Sequence, residues 1–439
     1  MSQQPIVCKF GGTSVASGDQ IRKVAEIIDA DPRRRFIVPS APGKRSPEDT
    51  KITDLLYLAH DLARKGQAIE AVWDQIAARF LGLVAELGLD LDLQPVLDEA
   101  AAEIKGGASA AYAASRGEAI NGHIVAGILD ATYIDSAEVI RFGKGRRLDP
   151  LTYELIADRC SESGRYVIPG FYGADRHGTV VTFSRGGSDV TGSIVANAVD
   201  AESYENWTDV SGVLMTDPRI VPEAATIQEI TYKELRELAY MGASVLHEEA
   251  VFPAREKGIP INIRNTNRPE DAGTRIVAER DPGEQVIVGI AGNAGFTTFA
   301  VEKALMNAEV GFGRRVLDVF ERLGISYEHT PSGIDTMSVV VSDDNLADLA
   351  DHVVEDLYSA VRPDQIEVWP GMALVATVGQ GMNHRIGVAA KLFGALAEAE
   401  VNIRMIDQGS SEQNIIVGVE ATDLQAAIKA IYGAFLDQA

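Results

Sequence analysis

The sequence predicts an α/β protein: a layered domain on a mostly parallel sheet, followed by two smaller units of βαββαβ order. Two observations carry this. At the N-terminus the apolar strand Ile6–Phe10 runs into Gly11-Gly12-Thr13-Ser14, then a helix with apolar Ile21, Val24, Ile27 and Ile28, then a strand over 36–38. Parallel neighbours need a crossover, usually helical, so strand, Gly-rich turn, helix, strand is the grammar of a parallel α/β sheet. From about residue 286 the texture changes, and the order strand, helix, strand, strand, helix occurs twice.

Ser17 and Gln20 have capping-box spacing at the first helix. The strand over 36–38 ends at Ser40-Ala41-Pro42-Gly43, and 52–104 is Ala- and Leu-rich with little β-branching, which predicts helices. After Gly122 strands and helices alternate again, to a strand over 259–263. The first small unit has strands at 297–301, 327–329, 337–341 and 365–369, with helices at 314–323 and 346–361. The second has strands at 373–378, 402–406 and 414–419, with helices at 388–399 and 424–435. It lacks a fourth strand, whereas 286–290 is a spare apolar strand upstream, so the first unit reads as inserted in the second. The expected division is 1–284, then 295–370, with 285–294 and 371–439 forming the last unit. The paired units show no titratable cluster and read as a binding or regulatory module.

Composition bounds the function. The 439 residues suggest about three domains at a prior of roughly 150 residues each. The net charge is −24, from 64 Asp+Glu against 40 Lys+Arg, which opposes nucleic acid or an anionic membrane as partner. Two cysteines, Cys8 and Cys160, make no disulfide framework, and seven His without a Cys/His cluster propose no zinc site. No secretion signal opens the chain and no apolar run reaches membrane-spanning length, so a cytoplasmic enzyme is the expectation.

Three Gly-rich elements carry chemistry. In Lys9-Phe10-Gly11-Gly12-Thr13-Ser14 the glycines admit a ligand close to the backbone, and Lys9 emerges at a strand's C-terminal end, where open α/β sheets bind ligands. The alternative is a tight turn with a solvated lysine. Thr182-Phe183-Ser184-Arg185-Gly186-Gly187-Ser188-Asp189 precedes a helix over 190–199. Asp189 or Ser188 would serve as an N-cap, but an N-cap needs neither glycine nor Arg185, whose planar fork suits a carboxylate. Trp207-Thr208-Asp209-Val210-Ser211-Gly212-Val213, then Thr216-Asp217-Pro218-Arg219, reads either as a pair of β-turns or as a ligand loop. There is no P-loop, protein-kinase signature, G-x-G-x-x-G or G-x-S-x-G.

Taken together, Lys-Phe-Gly-Gly-Thr-Ser, Ser-Arg-Gly-Gly-Ser-Asp and Thr-Asp-Val-Ser-Gly with Asp-Pro-Arg resemble the aspartate kinase signature set in order and spacing. The resemblance covers essentially the whole chain. It implies an amino-acid-kinase αβα sandwich followed by two ferredoxin-like ACT domains, the second wrapped around the first. It implies transfer of the γ-phosphate of Mg-ATP to the β-carboxylate of L-aspartate, a carboxylate nucleophile needing no general base. Carried over by residue, Lys9 neutralises the transferring phosphoryl group and Asp189 organises the reacting centre. Gly11, Gly12, Thr13 and Ser14 hold phosphate oxygens. Ser40 and Thr53 line the substrate pocket, Glu118 accepts from the substrate ammonium, and Arg185 grips its α-carboxylate. Thr208, Asp209, Asp217 and Arg219 hold the nucleotide.

Two positions depart from the family pattern: Ser244 stands where many relatives have a phosphate-contacting lysine, and Leu214 where a Tyr is usual. Lys233 and Lys257 are the substitute cations the sequence offers. By the same resemblance the ACT units pair between subunits, giving a homodimer or larger homo-oligomer that binds an amino-acid effector, lysine or else threonine. Met306, Gly311, Phe312, Glu328, Ser332 and Asp335 resemble the lysine-binding face, although Met306 and Phe312 read equally as core. Rival readings are an amino-acid kinase for another small carboxylate, and a non-catalytic amino-acid sensor.

Overall fold

The computed structural model describes residues 4–184, 186–242, 246 and 248–436. They fall into two compact units, Met1–Val213 with Thr226–Tyr232 and Val245–Arg280, and Leu214–Ala225 with Lys233–Ser244 and Asp281–Ala439.

The first unit is built on a sheet of eight strands in the order Thr132–Tyr133, Tyr166–Val167, Arg34–Pro39, Ile6–Phe10, Ser203–Thr208, Ile261–Asn265, Thr274–Val277, Glu229–Thr231. All neighbours are parallel except Ile261–Asn265 against Thr274–Val277. Successive side chains on a strand point to opposite faces. Ile6, Cys8 and Phe10 therefore meet the core formed with helices Gly18–Asp29, Ile52–Arg64, Glu70–Leu87, Gln94–Lys105 and Ala110–Leu129. Lys9 points the other way, toward helix Gly187–Ala198. That helix approaches so closely that a Cβ on Gly192 would lie 2.6 Å from the Tyr204 ring. A second, three-stranded sheet joins Arg141–Phe142, Tyr172–Asp175 and Val180–Thr182.

The expected capping box is half formed. The Ser17 side chain accepts from the Gln20 N–H at 3.4 Å, but the Gln20 amide donates to Asn267 Oδ1 at 3.0 Å. Side-chain competition from a distant loop redirects it.

The second unit's sheet differs in kind, for it is wholly antiparallel. Its order is Thr336–Ser342, Gly289–Glu302, Gln365–Val378, Asn414–Glu420, Met405–Asp407. Four strands expected to be separate are here two continuous ones of fourteen residues. Residues 289–294 pair with 373–378, and 296–302 pair with both 365–372 and Thr336–Ser342. The second neighbour is gained at a register shift beside Gly295, whose φ of +92° lets the strand bend without ending. The expected strand over 327–329 reduces to a single bridge between His329 and Val340. The expected helix over 346–361 breaks into Asp343–Leu346 and Ala350–Val361 around Ala347, at φ +45°. Neither Gly nor Pro marks that break.

Met306 and Phe312 are buried in the core with Phe299, Val316 and Val339. Gly311, at φ +79°, caps helix Phe312–Arg322, and Ser332 and Asp335 lie in exposed turns. The Asp335 carboxylate accepts from the Leu305 N–H at 2.8 Å.

Candidate active site

Strand Ile6–Phe10 ends beside two turns packed backbone to backbone. After Phe10 the chain makes a 3₁₀ turn, Gly12–Val15, and strand Arg34–Pro39 ends in Ser40-Ala41-Pro42-Gly43. The Gly43 N–H donates to Gly12 O at 2.8 Å and Ser40 N–H to Phe10 O at 3.0 Å. A Cβ on Gly43 would lie 2.7 Å from the Gly12 carbonyl carbon and oxygen and 2.9 Å from Thr13 N. Glycine is required there because any side chain would occupy the neighbouring turn's backbone. Ser14, buried, shares a 2.8 Å hydroxyl contact with Thr266, while Thr13 is exposed.

Lys9 is 8% exposed, and its Nζ lies 2.6 Å from Asp189 Oδ1 and 3.2 Å from Asn206 Oδ1. Asn206 Nδ2 donates to the same Asp189 oxygen at 2.9 Å, closing a ring of three side chains. A charge this far from water needs a partner, and the carboxylate supplies it. Nζ would be 3.6 Å from a Cβ on Gly11, so the ammonium lies over the glycine backbone of the turn. Asp189 is in the first turn of helix Gly187–Ala198, whose cap Gly186 has φ +56°. A Cβ on Gly187 would lie 2.5 Å from the Phe171 ring, which fixes how near the helix start comes.

Glu118 is buried on helix Ala110–Leu129, and one carboxylate oxygen, Oε2, has no hydrogen-bond partner. Burial pushes its pKa from 4.5 up to about 8, and the Ala41 backbone amide offsets only part of this. Ser40 and Thr53 are half-buried, Thr53 one residue into helix Ile52–Arg64. Ser40 O accepts from Asn121 Nδ2 at 2.8 Å.

Thr208 closes strand Ser203–Thr208, and its hydroxyl donates to the exposed Asp209 carboxylate at 3.1 Å. A Cβ on Gly212, at φ +109°, would lie 2.5 Å from Thr274 Oγ1. Asp217 and Arg219 belong to the second unit, where the guanidinium grips the carboxylate at 2.6–3.0 Å and holds its pKa below the usual range. The structure thus brings together Lys9, Gly11, Gly12, Ser14, Ser40 and Asp189 and places Glu118 beside the Ser40–Gly43 turn. Arg185 and Ser244 lie outside the described residues. Lys257, one of the two substitute cations, is held by Asn197 O and Asp200.

Sequence reasoning missed three features. Asn206 completes the Lys9–Asp189 ring from a strand 197 residues away from Lys9, through the parallel register Lys9↔Asn206. On the opposite face, buried Glu205 accepts from Arg34 at 2.8 and 3.1 Å, Arg264 at 3.3 Å, Trp207 at 3.0 Å and the Cys8 thiol at 3.4 Å. In the second unit, Glu234 accepts from the Gln380 N–H and Glu237 from Asn414, both at 2.7 Å, and the Tyr240 hydroxyl donates to Glu328. Acceptors at 234 and 237 on one helix face carried a sequence signal; their partners did not.

Comparison with known proteins adds a family. The amino acid kinase family model matches residues 4–265, and an ACT-domain model matches 375–435. Aspartokinase 3 of Bacillus subtilis (strain 168) is 39% identical over 98% of both chains. The crystal structure of Clostridium acetobutylicum aspartate kinase superposes with a TM-score of 0.92 at 51% identity, covering 99% of this chain and 100% of that one. Escherichia coli aspartokinase III, solved with lysine and aspartate, gives 0.74 at 26% identity over 99% of this chain and 100% of that one. Solved with aspartate and ADP, it gives 0.72 at 27% identity over 98% and 99%.

Proposed function

The chain belongs to the aspartokinase family and is an aspartate kinase, and we propose that its phosphoryl transfer is centred on the Lys9–Asp189 pair. The observation that carries this is the Lys9 ammonium held 2.6 Å from Asp189 and over the Gly11 backbone. Charge builds on the γ-phosphoryl oxygens as the β-carboxylate of aspartate attacks in line. A fixed ammonium in a water-poor site stabilises that charge without reorganising. Asp189 and Asn206 keep Nζ in place, so its position is set before substrate arrives. Mg²⁺ enters on the ATP phosphates as part of the co-substrate, the usual mode for this ion.

In this reading Gly11, Gly12, Thr13 and Ser14 approach the phosphates, and Thr208 and Asp209 face the nucleotide, with Asp217 and Arg219 as its further contacts. Ser40 and Thr53 line the aspartate pocket, Glu118 accepts from the ammonium, and Arg185 takes the α-carboxylate. Residues 1–284 form the catalytic domain, 295–370 the first ACT domain, and 285–294 with 371–439 the second. The enzyme is cytoplasmic and works as a homodimer or larger homo-oligomer through its ACT domains, with no nucleic acid or membrane partner. Among the described residues no helix is long and apolar enough to cross a membrane.

Lysine is the proposed effector, with threonine the alternative, at Gly311, Glu328, Ser332 and Asp335 over a floor made by Met306 and Phe312. The bond from Tyr240 to Glu328 supports regulation through this surface, because it ties a proposed effector residue to helix Tyr232–Tyr240. ADP release from Mg-ATP with L-aspartate or L-glutamate, with and without lysine or threonine, tests the reading. Aspartate-dependent turnover slowed by lysine is expected. Equal turnover with glutamate, or indifference to both amino acids, would overturn the substrate or effector assignment respectively.

A further inference from the structure

Glu118 and Asn121 are three residues apart on helix Ala110–Leu129, hence neighbours on one face. Both address the turn after strand Arg34–Pro39: Ala41 through its backbone amide acts on Glu118, and Ser40 O accepts from Asn121 Nδ2 at 2.8 Å. Asn121 is completely buried and Glu118 is 7% exposed. Ser40 O can only accept, so the Asn121 nitrogen must face it and the Asn121 oxygen must face away. That oxygen, Oδ1, is buried without a partner, as is Glu118 Oε2. Two orphaned buried oxygens on one helix face are an uncommon and costly arrangement unless a ligand completes them.

We propose that Asn121 Oδ1 is a second acceptor for the substrate's α-ammonium, so that Asn121 and Glu118 together select an amino acid over its desamino analogue. This rests on the reading of Glu118 as the ammonium site. An ammonium carries three N–H donors, and one carboxylate oxygen leaves the others to be satisfied. Asn121 supplies a neutral acceptor, adding no second negative charge to a pocket that must also admit two substrate carboxylates. Its other end holds Ser40 O, so the residue that reads the ammonium also fixes the turn lining the pocket. Because the raised pKa keeps Glu118 protonated when the pocket is empty, ammonium binding near neutral pH releases a proton from it.

The test uses the full-length enzyme with Asn121→Leu, Asn121→Asp and Glu118→Gln. KM and kcat are measured for L-aspartate, succinate is titrated as a competitor lacking the amino group, and ADP affinity and melting temperature report folding. For Asn121→Leu a KM for aspartate raised about tenfold to a hundredfold is expected, the loss of one hydrogen bond to a charged group. Its ADP affinity should stay near wild type, and the loss of succinate affinity that follows from releasing Ser40 O should be much smaller than the loss for aspartate. Asn121→Asp, which retains an acceptor oxygen, should recover part of the aspartate affinity. If Glu118→Gln raises KM while Asn121→Leu leaves the preference for aspartate over succinate unchanged, Asn121 is no acceptor and the proposal falls alone. If Glu118→Gln also leaves KM unchanged, the ammonium-site reading falls with it. Equal losses of aspartate and succinate affinity in both Asn121→Leu and Asn121→Asp, neither of which can donate to Ser40 O, would assign Asn121 a purely structural role and overturn the proposal.

Discussion

Replacing Glu118 by Gln should make the ligand-free enzyme more stable in alkali. The wild-type carboxyl is buried, and its pKa rises from 4.5 to about 8 because burial disfavours the charged form. The sign follows from proton counting. Between pH 4.5 and about 8 the folded chain keeps a proton that the unfolded chain has lost. This contribution to stability is fully present below the unfolded pKa and is lost as pH rises through the folded one. At about 1.36 kcal/mol per unit, a rise from 4.5 to about 8 is on the order of 5 kcal/mol at its ceiling. Water entering the pocket once the group ionises lowers that ceiling. Gln has no proton to lose, so Glu118→Gln should match wild type near pH 5 and exceed it near pH 9. Urea unfolding of both proteins across this range, without ligands, measures the difference. Saturating L-aspartate should narrow the gap at high pH, because its ammonium neutralises the wild-type carboxylate. Parallel stability curves for the two proteins would refute the reasoning, showing that Glu118 is hydrated and ionised in the empty site.

Two other substitutions probe separate parts of the account. Gly43→Ala forces a Cβ to 2.7 Å from the Gly12 carbonyl, so it should cost about 1–3 kcal/mol of stability and raise KM for ATP. An unchanged melting temperature and KM would show that the two turns are not rigidly packed. Glu205→Gln leaves the buried Arg34 uncompensated and weakens the bond from Arg264, with an expected loss of about 3–5 kcal/mol in urea titrations. Because Glu205 faces away from Lys9, the folded fraction should retain wild-type kcat; a large fall in kcat would place this network in the reaction.

Much of the first unit was legible because its signals are local. Strand Ile6–Phe10, the Gly-Gly turn and the Ser17 cap each depend on residues within one or two turns of chain. Asn206 was not legible, since only the register of two parallel strands makes it the neighbour of Lys9. Asn121 was hidden for a related reason: an Asn flanked by Ile120 and Gly122 in a helix signals a buried polar partner without saying which. In the second unit, the apolar runs on either side of Gly295 were visible, but continuity through that glycine was not. A glycine between two strands ends them at a turn or bends them at a shift of register, and only the pairing partners decide between the two. The helix break at Ala347 had no Gly or Pro to announce it, so tertiary packing sets it.

The central claim is that Lys9, fixed by Asp189 and Asn206, stabilises the transferring phosphoryl group. Single-turnover formation of aspartyl phosphate from Mg-ATP and L-aspartate, trapped by hydroxylamine, tests it most directly in wild type and Lys9→Ala. The account predicts a fall of at least about a hundredfold in the transfer rate, with ADP and aspartate affinities largely kept. Transfer at the wild-type rate in a folded Lys9→Ala enzyme would contradict it and move the catalytic charge elsewhere in the site.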